Sequence, residues 1–126
     1  MSSDPTVLFG VLILFQVKHC LFDFVFQTSY QSRNKGCYGH GGGILHAGLH
    51  AVGSIPALLL AGCAPTLFFF LITAEFILHY HIDWFKEDLI ARHGWTPDSN
   101  RFWQILGVDQ LAHQLTYIAM LWFLLP

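Results

Sequence analysis

Four long apolar runs dominate the pattern of hydrophobic and polar positions along the chain. They cover residues 6–27, 44–63, 65–85 and 105–125. Each run has the roughly 20 residues that a helix needs to cross a hydrocarbon core about 30 Å thick. Helices are expected because lipid offers no hydrogen-bond partner to backbone amides. The pattern therefore predicts an all-α membrane protein in which residues 1–126 form a single domain, a four-transmembrane-helix bundle.

The connections between the runs differ in kind. Residues 28–43 are polar, and we interpret their YGHGGG stretch at 38–43 as a flexible hinge. The GCAP stretch at 62–65 predicts a tight turn, with Pro65 in the first turn of the third helix. Residues 86–104 carry charges and two tryptophans, and tryptophan is enriched at membrane surfaces. We therefore expect an interfacial segment between helices 3 and 4.

Basic residues are placed asymmetrically along the chain. The connections after the first and third runs hold Arg33, Lys35, Lys86, Arg92 and Arg101. The positive-inside rule then puts these connections in the cytoplasm and both termini on the non-cytoplasmic side. The remaining basic residue, Lys18, lies within the first run, where it could reach the membrane surface only by facing outward.

Composition supports the membrane interpretation and excludes some functions. The chain is 54% hydrophobic and only 11% charged, whereas a soluble domain carries about 25% charged residues. The formal net charge is -2, and no cluster of Lys and Arg offers the surface that nucleic acid requires. The three cysteines lack the close spacing of a zinc site built from thiolates.

Every apolar run nevertheless contains two His or Asp residues four positions apart, a spacing that places them on one face of a helix. The four pairs are His19 with Asp23, His46 with His50, His79 with Asp83, and Asp109 with His113. All four fall at a similar depth, in the cytoplasmic half of the membrane. Because a charged residue at the bilayer centre costs about 2.5–3.5 kcal/mol, these side chains are expected to face the bundle interior.

Five imidazoles and three carboxylates form a donor set suited to transition metals. Eight donors exceed the four that one tetrahedral ion uses. We therefore predict one or two divalent ions of zinc, iron or manganese, with any remaining donors as hydrogen-bonded outer partners. Glu75 lies one turn deeper than His79 and could be a further ligand, a proton carrier or a helix–helix hydrogen-bond partner. A purely structural polar network and a proton or ion pathway are the alternatives to a metal centre.

The order of these motifs resembles that of a family of small bacterial and phage membrane proteins known as the domain of unknown function 3307. The matching stretches are HCLFDFVFQ at 19–27, NK at 34–35, HAGLH at 46–50, HYHIDWFK at 79–86 and DQLAH at 109–113. They span about residues 15–115, and the YGHGGG stretch and His81 lie outside the pattern. The resemblance adds Gln27, Lys35, Lys86 and Gln110 to the candidate positions. It implies the bacterial inner membrane but no reaction.

Our leading hypothesis is a metal-dependent hydrolase that acts at the cytoplasmic face on a lipid-linked or amphipathic substrate. Here the metal activates a water molecule. Lys35 and Lys86 would bind a phosphate or carboxylate, unless they are only interfacial anchors. Gln27 and Gln110 would orient ligands or substrate.

Other functions fit the same composition. The protein could be a non-enzymatic accessory subunit that packs against a larger membrane complex. It could form an ion or proton pathway through titrating His and Asp side chains. A di-iron redox centre is a further option, although the chain lacks the HxxHH boxes associated with membrane desaturases.

Overall fold

The computed structural model of the protein describes residues 4–125, and every regular element in this range is a helix. The first helix, α1, covers Pro5–Cys20 and continues directly into a π-helical turn at Leu21–Val25. Asp4 caps α1, because its Oδ1 accepts a hydrogen bond of 2.8 Å from the Thr6 amide. The π-helical turn is closed by a 2.8 Å bond from the Phe26 amide to the Leu21 carbonyl. Such turns are frequent at functional sites, and this one carries Asp23.

Helix α2 covers Ser29–Asn34, where the sequence suggested a loop, and begins with a capping box formed by Thr28 and Gln31. Helix α3 covers Gly41–Gly53 and begins three residues before the second apolar run, so the glycines of the YGHGGG stretch begin a helix instead of forming a hinge. The reason is close packing of α3 on α2, since a Cβ atom at Gly42 would lie 2.7 Å from the Tyr30 carbonyl oxygen. Helix α4, Ile55–Leu60, continues the direction of α3 after a break at Ser54.

Helix α5 is the longest element and covers Pro65–His93 without interruption. It ends where Gly94 adopts a left-handed conformation with φ of 63°, the usual C-terminal stop of a helix. Helix α5 therefore continues beyond Lys86, so most of the segment 86–104 that was expected at the membrane interface is helical. Residues 94–99 connect α5 to α6. Helix α6 covers Asn100–Phe123 and is capped by Ser99.

Three helical stretches are long and apolar enough to cross a membrane: Pro5–Val25, Gly41–Leu60 and Pro65–His93. Helix α6 has 24 residues but is not among them. Large apolar side chains cover much of the outer surface, including Phe9, Phe69, Ile118 and Trp122. An apolar exterior around a partly polar interior is the arrangement expected of a protein solvated by lipid.

The bundle interior has two halves of opposite character. One half is an apolar core formed by α1, α4, the start of α5 and the end of α6, with Phe15 stacked on Tyr117 at 5.3 Å between ring centroids. The other half lies toward the connections that carry most of the Lys and Arg. It contains the His and Asp pairs of α1, α3, α5 and α6.

Candidate metal centre

The four His and Asp pairs meet in one cluster inside the bundle. Their members are His19, Asp23, His46, His50, His79, Asp83, Asp109 and His113, and we call this set the polar centre. Each pair lies on the inner face of its helix, as the spacing of four residues predicts. All eight side chains are almost completely removed from the surface. The helices therefore bring together residues that are up to 94 positions apart in the sequence.

Asp23 is the carboxylate around which the α3 histidines gather. Its Oδ1 lies 3.0 Å from Nε2 of His46 and 3.2 Å from Nε2 of His50. Asp83 on α5 is a second carboxylate that several histidines face. Its Oδ2 lies 3.2 Å from Nε2 of His46 and 3.4 Å from Nε2 of His79. Its Oδ1 lies 3.6 Å from Nε2 of His113.

These separations match the edges of a metal coordination shell. Zinc–nitrogen and zinc–oxygen bonds of about 2.0–2.1 Å in a tetrahedron place neighbouring donor atoms roughly 3.3 Å apart. The measured separations around Asp23 and the α5 pair run from 3.0 to 3.4 Å. These contacts are compatible with donors that share an ion, and they are also ordinary ion-pair distances between imidazole and carboxylate groups.

The polar centre also contains an unusual number of unsatisfied atoms. Within residues 4–125, twelve buried side-chain nitrogen and oxygen atoms make no hydrogen bond, and all but Ser54 Oγ and Glu75 Oε2 belong to this centre. Several of these nitrogens lie 3.0–3.4 Å from a carboxylate oxygen without meeting hydrogen-bond geometry. Each buried unsatisfied group costs about 1–3 kcal/mol. A bound cation would satisfy many of them at once.

Three groups of donors could each hold an ion, because their ligand atoms lie within 4.8 Å of one another. The groups are Asp23, His46, His50 and His79; His19, His79 and His113; and Asp83, Asp109 and His113. The first and third groups share no residue, so two ions could be held without a ligand common to both groups. The three groups are compatible with one ion or with two, and the number of ions stays a prediction.

His19, a member of the polar centre, has both ring nitrogens engaged. Its Nδ1 lies 3.1 Å from the hydroxyl of Tyr117, and its Nε2 lies 3.1 Å from Oε1 of Gln110. The same Nε2 lies 3.2 Å from Oδ2 of Asp23. These contacts suit an outer partner that orients Asp23. Tyr117 is a residue that sequence reasoning missed, although it follows His113 by four positions and so shares its face.

A polar cavity of about 260 Å³ opens beside the centre and is lined by Asp23, Gln27, Lys35, Lys86, Asp109 and Gln110, among others. The Nζ atom of Lys35 lies 3.1 Å from Oδ2 of Asp83 and 3.7 Å from Oδ1 of Asp23. The Nζ atom of Lys86 lies 2.8 Å from Oε1 of Glu87. The amide of Gln110 donates to Oδ2 of Asp109 at 3.1 Å. The four positions added by the family resemblance therefore line the cavity beside the polar centre.

Glu75 lies outside the donor groups and forms a buried ion pair with Lys18. Lys18 also donates a 3.0 Å hydrogen bond to the His50 carbonyl, and its Nζ lies 4.5 Å from the centroid of the Tyr117 ring. Lys18 thus faces inward and does not reach the membrane surface. Lys18 continues the buried stripe of Val11 and Phe15 at spacings of four and three residues, but the sequence alone does not show which face of α1 turns inward. The pair lies between the polar centre and the apolar core.

His81 lies away from the centre, as its spacing of two residues from His79 predicts. It is exposed and contacts the hydroxyl of Tyr38 through Nε2 at 3.1 Å. His79, two positions earlier on the same helix, is buried at 1% exposure. The two histidines therefore provide an internal comparison between a residue of the centre and one of the surface.

Comparison with known proteins gives one match. A family model described as "Protein of unknown function (DUF3307)" matches residues 11–125. The chain belongs to this family. No curated protein and no solved structure matches the chain. The match covers every residue of the polar centre and confirms the resemblance seen in the motifs, while the family description names no reaction.

Proposed function

We propose that the chain is an integral membrane, metal-dependent hydrolase whose active centre is the polar centre. The proposal includes a fourth membrane span formed by α6, because Asp109 and His113 then lie at the depth of the other pairs. The basic connections would lie in the cytoplasm and both termini on the opposite side. The protein would belong to the bacterial inner membrane.

The observation that carries the metal assignment is the set of unsatisfied donor atoms in the polar centre. Membrane proteins rarely retain buried His and Asp side chains without a functional reason, because their desolvation is costly. Oxygen and nitrogen donors at separations near 3.3 Å suit zinc, iron or manganese. The coordinating residues would come from the eight members of the centre, with some as outer hydrogen-bond partners.

Hydrolysis is favoured because the donors lie beside a cavity of about 260 Å³ that has polar side chains in its lining and space for water and a substrate group. A divalent ion lowers the pKa of a bound water to about 7 and polarises the bond that is attacked. The water oxygen would form a bond to the phosphorus or carbonyl carbon of an ester. The ester bond would break, and the water proton would pass to the departing oxygen. Gln110 and Gln27 would orient the reacting groups.

The cavity indicates an amphipathic substrate. Lys35 and Lys86 supply positive charge at its lining, and Phe24 and Leu106 supply apolar surface. Asp23 and Asp109 in the same lining balance the two lysines, so a phosphate or carboxylate headgroup would bind with a cation held in the centre. A lipid chain would contact the apolar part of the lining. Membrane lipid is therefore the expected surrounding and a lipid-linked molecule the expected substrate.

An assay with purified protein tests this function. Detergent-solubilised full chain would be incubated with phosphatidic acid and with a polyprenyl phosphate in the presence of Zn²⁺, Mn²⁺ or Fe²⁺. We expect release of phosphate that chelation abolishes, that His50→Ala reduces at least a hundredfold, and that His81→Ala leaves unchanged. If no divalent ion supports hydrolysis of either lipid, the hydrolase assignment fails.

A second candidate is a structural role in a larger membrane complex, and Lys35 is the observation that favours it. Its ammonium group lies near both Asp23 and Asp83 and could itself act as the cation of the centre. The protein would then be an accessory subunit without metal. Co-purification with one large membrane partner, together with an absence of bound metal, would support that role. An ion pathway or a di-iron redox centre would reveal itself by liposome flux or by an oxygen-sensitive iron absorption band.

A further inference from the structure

The polar centre is divided chemically into two parts. The first donor group combines three imidazoles with one carboxylate, in Asp23, His46, His50 and His79. The second combines two carboxylates with one imidazole, in Asp83, Asp109 and His113. We call them the nitrogen-rich and the oxygen-rich group. Nitrogen donors favour zinc and iron, whereas carboxylates favour manganese and magnesium.

Asp83 lies between the two groups and turns one oxygen toward each. Its Oδ2 lies 3.2 and 3.4 Å from the nitrogens of His46 and His79, and its Oδ1 lies 3.6 Å from that of His113. Neither oxygen makes a hydrogen bond, and a further ion-pair partner of Oδ2 is Nζ of Lys35 at 3.1 Å, which a bound ion would displace. A carboxylate placed in this way can bridge two ions that lie about 3.5–4 Å apart, the spacing found in two-metal hydrolytic sites.

The two groups also differ in the number of donors. The nitrogen-rich group has four, which complete a tetrahedron, and its three histidines are at most 1% exposed. The oxygen-rich group has three, whereas manganese and magnesium take about six ligands. The remaining positions around an ion at the oxygen-rich group would be filled by water or by oxygen atoms of a bound molecule.

Two cavities of different polarity meet beside the oxygen-rich group. Asp109 and Lys86 line the polar cavity of about 260 Å³ and also a second, apolar cavity of about 120 Å³. The walls of the second cavity come from α5 and α6, where Phe85, Ile105 and Val108 surround it. A charged headgroup and an apolar chain can therefore both approach Asp109.

We propose that the centre holds two different ions: a closed, resident transition metal in the nitrogen-rich group, and an exchangeable Mn²⁺ or Mg²⁺ in the oxygen-rich group. The phosphate of an amphipathic substrate completes the second ion's coordination, with Lys86 balancing its charge. Such ions are commonly bound by one or two carboxylates together with substrate phosphate. The inference rests on the proposed metal centre and specifies its ions and substrate class.

The test measures the two ions separately in detergent-purified full chain. Metal content is determined by mass spectrometry after dialysis against a weak chelator, and Mn²⁺ is then titrated and followed by electron paramagnetic resonance. We expect one retained equivalent of zinc or iron and one further Mn²⁺ site. Asp109→Asn should keep the retained metal and weaken Mn²⁺ binding at least tenfold. The exposed Asp98→Asn is the matched control and should change neither.

The phosphate requirement is tested with inorganic phosphate and with a short-chain phosphatidic acid. Either probe should tighten Mn²⁺ binding severalfold in the wild type, and Lys86→Met should remove that gain while keeping both metals. If the lipid tightens Mn²⁺ binding more than inorganic phosphate does, the apolar cavity binds the lipid chains. If both probes tighten it equally, the site recognises the phosphate alone.

Retained metal without any Mn²⁺ site, or loss of both ions in Asp109→Asn while the folded protein persists, would overturn the division into two sites. If Asp109→Asn does not fold, the Lys86→Met result decides instead: an unchanged phosphate effect in that variant contradicts the proposed site. Wild-type protein without any bound metal would overturn the proposed function itself, so the two failures are distinguishable.

Discussion

The two halves of the bundle interior exclude solvent in different ways. In the apolar half, side chains such as Phe15, Leu58 and Leu71 are fully buried and stabilised by packing alone. In the polar half, the buried atoms are strong donors and acceptors, and many make no hydrogen bond. The apolar half therefore needs no further partner, whereas the polar half keeps donors and acceptors that a bound cation would satisfy. The difference is the reason for proposing that the apolar half supports folding and the polar half supports chemistry.

The boundary between the halves is the Lys18–Glu75 ion pair. Lys18 and Glu75 neutralise each other and belong to neither the donor groups nor the apolar core. Lys18 also donates a hydrogen bond to the His50 carbonyl. The ion pair anchors α3 at the His50 carbonyl and lies between the two environments.

The largest effect is expected at Asp83, the carboxylate between the two donor groups. Asp83→Asn should lower metal affinity more than a hundredfold, because it removes a negative charge that faces three imidazoles. Asp88→Asn, a more exposed change on the same helix, should leave affinity unchanged. Competition with a chromogenic chelator measures both, and equal affinities in the two variants would contradict the assignment.

A smaller but still large effect is expected at the boundary. Lys18→Met leaves the Glu75 carboxylate buried without its partner, which should cost about 3–5 kcal/mol of unfolding free energy. The double variant Lys18→Met with Glu75→Leu should recover most of that loss, since it removes both charges. Unfolding in mixed micelles measures the free energies. A double variant as unstable as the single one would show that the pair is not the source of stability.

The apolar half should respond in stability alone. Leu58→Ala removes a fully buried side chain and should cost about 2–5 kcal/mol of unfolding free energy by leaving a cavity. The metal bound per folded molecule should not change, because Leu58 contacts the apolar core and not the donors. Metal content beside an unfolding curve checks both points, and loss of metal from the folded fraction would show that the halves are coupled.

The smallest effect is expected on the outer surface. Trp122 is 74% exposed, and Trp122→Leu should change unfolding free energy by less than about 0.5 kcal/mol. An exposed position tolerates this substitution because both side chains are apolar and neither is packed in the core. A loss of several kcal/mol would instead indicate that α6 packs against a partner at this position.

Much of this organisation could be predicted from the sequence, because exposing a polar side chain to lipid is costly and such side chains therefore face the protein interior. The spacing of His79 and Asp83 fixes their common face, and the cost of burial directs that face inward. The Lys18–Glu75 pair was missed, since the direction in which Lys18 points depends on the rotation of α1 within the bundle. The start of α3 at Gly41 was also missed, because glycine usually signals a loop and here permits close packing on α2.

The most direct test of the central claim is the metal content of the purified wild-type chain beside His79→Ala and His81→Ala. The two histidines lie two positions apart on α5, one buried in the centre and one exposed. Mass spectrometry should find one or two equivalents of a transition metal in the wild type and in His81→Ala, and a clear loss in His79→Ala. A metal-free wild type after reconstitution, or equal metal in all three proteins, would contradict the account.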